Sequence, residues 1–109
     1  EEVAQAALRI HRQGVANVVV SMGSRGAMLV CSQGIVRGVP PSIQAVNTVG
    51  CGDAMTAAFA VALRDDLPPR EAMRYAVAVS AASALSPDTG GLEAEAFQAL
   101  KPKVCVYSL

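Results

Sequence analysis

Residues 70–85 read REAMRYAVAVSAASAL. Alanine is the strongest helix former, and a helix built from so many small side chains lets its neighbours approach closely. The stretch therefore predicts one closely packed helix, and the rest of the chain has to supply the elements that cover it. The composition allows this. Hydrophobic residues make up 52% of the 109 positions and charged residues 17%, enough to bury a core and too apolar for a disordered chain. The length limits the chain to one domain.

The covering elements can be read along the chain. Residues 2–13 predict an amphipathic helix with Val3, Ala6, Ala7 and Ile10 on one face, His11 on its polar side and Gly14 as its stop. NVVVSMG, residues 17–23, has the β-branched run of a buried strand. AMLVCSQGIVRGV, residues 27–39, predicts two strands around a turn at Ser32-Gln33-Gly34. Pro40-Pro41 breaks regular structure, and IQAVNTV at 43–49 suggests a short extended segment. A helix is expected from about Ala54 to Arg64, with Met55 and later Met73 as core residues. Asp65-Asp66-Leu67-Pro68-Pro69 reads as a solvated linker that ends at the start of the alanine-rich helix. Pro87 to Gly91 predicts a turn, LEAEAFQAL at 92–100 a short helix with Glu93 and Glu95 at its start, and KVCVYSL at 103–109 a strand. Mixed helices and strands imply a layered α/β fold.

Several functions are disfavoured by composition. Nine basic and nine acidic residues cancel, which argues against a nucleic-acid footprint or a basic membrane surface. Two Tyr, two Phe and no Trp leave little to stack bases on. Cys31, Cys51 and Cys105 are odd in number and form no CxxC pair, so no zinc knuckle or disulfide framework is expected, and a reducing cytoplasm is the simplest setting. No apolar run is long enough to span a bilayer. The chain begins at Glu1-Glu2 inside a helical pattern, which suggests a piece of something longer.

Two glycine-rich stretches carry candidate chemistry. In NTVGCGDAMTAAFA, residues 47–60, a turn at Val49-Gly50-Cys51-Gly52 runs into a helix. Such a junction aims free backbone N–H groups and the positive end of the helix dipole at one point, which suits a phosphate or a developing anion. Asp53 then stands where it could accept a proton from a substrate hydroxyl. The same residues also fit a plain N-capping aspartate after a glycine turn. The pattern GxxxxGK[ST] is absent, so this is not a P-loop. In SMGSRGAML, residues 21–29, two glycines follow a strand end. They fit either a loop that lets a nucleotide lie against backbone or an ordinary glycine hairpin.

Taken together, Ser21-Met22-Gly23-Ser24-Arg25-Gly26 and Asn47-Thr48-Val49-Gly50-Cys51-Gly52-Asp53 resemble, in order and spacing, the C-terminal part of the ribokinase-like (PfkB) carbohydrate kinases. The likeness runs on through the alanine-rich helix to the last strand. It implies an α/β fold, the C-terminal part of a three-layer α/β/α sandwich. It implies an enzyme that transfers the γ-phosphate of ATP, with Mg²⁺, to a sugar hydroxyl. By this resemblance Asp53 is the catalytic base, and the N–H groups of Gly50, Cys51 and Gly52 form the anion hole. Ser21, Met22, Gly23, Ser24, Arg25 and Gly26 contact the nucleotide, as do Gly52, Val77, Ser80 and Gly90, the last in the turn Thr89-Gly90-Gly91. No dedicated protein ligand for the metal is seen.

Two positions depart from the commonest pattern. Asn47 replaces the aspartate of ribose and nucleoside kinases and looks more like the branch that phosphorylates sugar phosphates, 1-phosphofructokinase and tagatose-6-phosphate kinase. Fructose 1-phosphate or tagatose 6-phosphate would then be the acceptor. A ribokinase- or nucleoside-kinase-type member is the alternative, and a non-catalytic nucleotide-binding module that acts by association is another. Cys51 replaces Ala or Ser but stays small. The resemblance puts the sugar-binding residues in an N-terminal part that these 109 residues lack, so the chain alone is expected to have no useful kinase activity. Its sheet is expected to have an open edge, which invites homo-oligomers.

Overall fold

The computed structural model describes residues 2–87 and 93–109. Four helices, α1 (Glu2–Arg12), α2 (Cys51–Arg64), α3 (Pro69–Leu85) and α4 (Ala94–Leu100), accompany four strands, β1 (Val18–Ser21), β2 (Ala27–Cys31), β3 (Gly34–Val39) and β4 (Cys105–Ser108). The strands form one antiparallel sheet in the order β1-β2-β3-β4. Leu29 of β2 pairs with Val19 of β1 and Val36 of β3, and Gly38 of β3 pairs with Val106 of β4.

Period-2 alternation divides the sheet into two faces. Ala27, Leu29 and Val36 face a core shared with α2 and α3, whereas Val18 and Val30 join Ala7 of α1 in a separate cluster. Helices therefore cover both faces, and the layers run α1, sheet, then α2, α3 and α4. The α/β reading holds.

The alanine-rich helix is where residues 70–85 placed it, with Pro69 in its first turn. Ten of its residues are buried, among them Ala72, Met73, Ala76 and Val77, so it is covered on nearly every side. It lies against α2, α4 and three strands. Gly38 makes the sheet contact close, because a Cβ there would come within 2.5 Å of Met73 Cγ and 3.1 Å of Val77 Cγ2. Arg70 and Arg74 of α3 donate to the Val106 and Val104 carbonyls at 3.0 and 2.6 Å, which ties β4 to the helix. Tyr75 and Phe97 meet edge to face at 5.7 Å and dock α4.

Four expectations change. In α1 the covered residues are Val3, Ala4, Ala7, Leu8 and His11, so Val3 and Ala7 of the expected face are covered while Ala6 and Ile10 are exposed. Leu8 packs against the cluster of Ala7, Val18 and Val30, and Ile10, about 200° further round the helix, turns out. His11 is accordingly half-buried rather than polar surface, and its Nδ1 lies 2.8 Å from Val15 O. A carbonyl only accepts, so Nδ1 carries the proton. Strand β1 is half-buried, with Val18 covered and Val19 37% exposed, because it lies at the sheet edge beyond the reach of α3. Residues 43–49 pair with no strand; the Val46 and Asn47 N–H groups both donate to Ala84 O of α3 instead. Finally, α2 begins at Cys51 rather than Ala54, because Gly50 adopts φ +85° and turns the chain into the helix early. Asp65 and Asp66 are exposed, as a solvated linker requires.

The β1–β2 connection holds Gly26 at φ +91°, buried against β3. A Cβ there would overlap the Gly38 carbonyl oxygen, whereas one at Gly34, φ +119°, would meet nothing within 4 Å. Gly26→Ala is therefore expected to cost more than about 2 kcal/mol and Gly34→Ala only about 1 kcal/mol. Urea unfolding of the two variants checks the order, and equal losses would contradict it.

Candidate functional site

The two glycine motifs meet at one cavity of about 610 Å³. Ser21, Gly23, Ser24 and Gly26 form one wall, Cys51 and Gly52 of α2 a second, and Val77 and Ser80 of α3 a third. Eight of the residues expected at the site thus come together. The glycine loop is a hairpin connection after all, closed by a 3-10 turn over Gly23–Arg25, but it faces the cavity as well. The two readings of that loop are compatible.

The remaining expected residues stand elsewhere. Met22 and Arg25 do not line the cavity. Arg25 is exposed, and its carbonyl accepts from Arg37 Nη2 at 3.4 Å. Gly50 and Asp53 flank the cavity without lining it. Helical geometry accounts for Asp53: Cys51, Gly52 and Met55 share the inward side, and Asp53 is turned about 100° further round from Gly52. Its side chain is exposed at the third position of α2. Gly50 is the N-cap residue, with no side-chain cap bond, so Asp53 is not the helix's N-cap. Gly90, with Thr89 and Gly91, lies outside the described residues.

The first turn of α2 has a defined set of donors. The Cys51 N–H is directed back to Thr48 O at 3.3 Å. The N–H groups of Gly50, Gly52 and Asp53 have no partner among the described residues. The expected donor trio is thus shifted, with Asp53 in place of Cys51. These free groups sit at the positive end of a 14-residue helix. Cys51 is half-buried, with Sγ 3.8 Å from Asn47 O, and its carbonyl accepts from Ser80 Oγ at 3.3 Å.

Sequence reasoning missed the fourth wall. Pro40, Pro41, Ile43 and Ala45 close the cavity from the irregular segment before α2, and Thr48, Ala81 and Ala84 complete it. Pro40-Pro41 was a signal of sorts, since it forbids a strand there, but nothing local says where the loop returns. No group of three or more His, Cys, Asp or Glu able to hold a metal occurs among the described residues. Among them, no helix is long and apolar enough to cross a membrane.

Comparison with known proteins places this arrangement. Residues 1–95 match the pfkB family carbohydrate kinases. The chain is 38% identical to ribokinase from Arabidopsis thaliana over 82 residues, 73% of this chain and 22% of that protein. It is 34% identical to 1-phosphofructokinase from Bacillus subtilis over all 109 residues, 35% of that protein. Phosphofructokinase-2 from Escherichia coli superposes with a TM-score of 0.87 at 32% identity, over 94% of this chain and 33% of that one. The chain thus spans about a third or less of the length of these relatives. With the family pattern extending over most of its residues, this chain belongs to the pfkB family of carbohydrate kinases.

Proposed function

We propose that this chain is the nucleotide-binding, base-carrying part of a kinase that transfers the γ-phosphoryl group of ATP to a hydroxyl of a sugar phosphate. One observation carries this reading: a single cavity is walled by the Ser21–Gly26 loop, the first turn of α2 and the face of α3 that holds Val77 and Ser80. ATP fits that cavity in kind. Val77, Ala81 and Ala84 offer an apolar wall for a base, and the turn at Gly50–Asp53 offers N–H groups to phosphate.

The chemistry follows from what the chain's own residues can do. The acceptor hydroxyl gives its proton to the Asp53 carboxylate as its oxygen bonds the γ-phosphorus, and the bond to ADP breaks. The N–H groups of Gly50, Gly52 and Asp53 stabilise the negative charge on the transferring group. Asp53 is exposed beside the nucleotide cavity without lining it, where an acceptor hydroxyl can reach it from solvent. Mg²⁺ would arrive with the nucleotide's phosphates, since no group of three or more His, Cys, Asp or Glu able to hold a metal occurs among the described residues. Sugar-phosphate acceptors of the fructose 1-phosphate or tagatose 6-phosphate type are supported by Asn47 and by the likeness to 1-phosphofructokinase. A tetrameric phosphofructokinase-2 among the similar structures supports a homo-oligomer. A cytoplasmic setting suits the three free cysteines.

Two substitutions test the assignment in the full natural chain. Asp53→Asn is expected to lower kcat by on the order of 10²–10⁴ while leaving MgATP affinity unchanged. A rate equal to wild type would remove Asp53 from the chemistry. Gly52 lines the cavity, and a Cβ there would meet nothing within 4 Å. Gly52→Ala is therefore expected to stabilise the fold by up to about 1 kcal/mol yet weaken MgATP binding, because the added methyl group occupies ligand space. Thermal unfolding and calorimetric titration read the two effects separately.

A further inference from the structure

The segment that delivers the anion-binding turn packs its Ile43 against Ala81, Ala82 and Leu100, but its last residues are held by polar links. Val46 and Val49 are each 63% exposed, so apolar packing does not fix the part next to the turn. The Val46 and Asn47 N–H groups donate to Ala84 O at 2.7 and 3.0 Å. Ser80 Oγ donates to Cys51 O at 3.3 Å. Each of these links runs to α3, whose Ser80, Ala81 and Ala84 also wall the cavity.

The Asn47 side chain adds something the backbone cannot. Its Oδ1 accepts the Val49 N–H at 3.0 Å, inside the turn. Its Nδ2 donates to Pro87 O at 3.4 Å, just past the end of α3. One end of this amide must accept and the other must donate, which fixes its orientation. Aspartate is the same size and could keep the first bond, but as a carboxylate it has no proton for Pro87 and would set a charge against that carbonyl.

We propose that Asn47 is a positioning residue: its amide clamps the Gly50–Asp53 turn to the C-terminal end of α3, so that the turn's free N–H groups keep their place against the α3 wall of the cavity. The inference rests on the kinase reading above and assigns the Asn47 amide a role distinct from contact with substrate. Displacing such donors by even an ångström is enough to cost affinity and rate. Among the described residues, the titratable groups on the flanking elements are Cys51 and Asp53 in the first turn of α2, and the last turn of α3 carries no basic residue.

The test titrates MgATP into the full natural chain and into Asn47→Asp and Asn47→Ser, from pH about 8 to about 4.5. Each variant is compared with wild type at the same pH, which cancels the nucleotide's own titration. Asn47→Asp is expected to bind about ten-fold more weakly at the upper pH and to regain part of that loss at the lower one, where about a fifth of an ordinary aspartate is protonated and can donate to Pro87 O. Asn47→Ser keeps an acceptor for Val49 but cannot reach Pro87, so it should bind several-fold more weakly at every pH. If Asn47→Asp does not fold, the serine variant decides alone. Wild-type affinity in Asn47→Ser overturns the clamp, and a deficit confined to the aspartate would then reflect charge repulsion only. Absence of MgATP binding by the wild-type chain overturns the kinase reading, and the clamp with it.

Discussion

The contact on which the rest of the structure depends is the one between Gly38 of β3 and Met73 and Val77 of α3. A Cβ at Gly38 would come within 2.5 Å of Met73 Cγ, so only glycine lets α3 sit at this distance from the sheet. Close approach in turn requires small side chains along the helix, and Ala72, Ala76 and Val77 provide them. Interiors pack at crystal-like density, so one extra methylene at this contact would be felt along the whole helix. Gly26 belongs to the same arrangement: its φ of +91° and its lack of a side chain bring the β1–β2 connection against the Gly38 carbonyl.

Helix α3 is consequently both a structural and a functional element. Its inner face closes the core, and its end carries Val77, Ser80, Ala81 and Ala84 to the cavity. The same few residues anchor the loop that precedes α2 through Ser80 Oγ and Ala84 O. The placement of the Gly50–Asp53 turn therefore depends on the seating of α3 on the sheet. A packing change at Gly38, distant in sequence from Asp53, would be transmitted to the turn through that one helix.

Much of the site was legible because its parts are local. Glycine at 23, 26 and 50 answers backbone requirements set within a few residues, and all three adopt positive φ. The alanine-rich stretch at 70–85 marked the buried helix directly. The inward stripe of α1 was not legible, since Val3, Ala6, Ala7 and Ile10 are as good a helical face as the one the sheet selected. Nor was the exposure of Val19, which depends on where α3 ends across the sheet. The wall formed by Pro41, Ile43 and Ala45 has no periodicity to read, because an irregular loop is placed by what it returns to.

By itself the sequence determined the kinds of elements, their order, the two glycine turns and the small-residue helix, since each is fixed by conformational preferences and side-chain size over short distances. The resemblance to the pfkB kinases was also contained in those two turns. Only the tertiary structure decided that the turns face one cavity, that Asp53 flanks it without lining it, and that the Cys51 N–H is bonded to Thr48. It also brought the Asn47 amide to the Val49 N–H and to the Pro87 carbonyl, the latter forty residues away in the chain. Such long-range pairings depend on how α3 seats on the sheet, and no short window of sequence contains both partners.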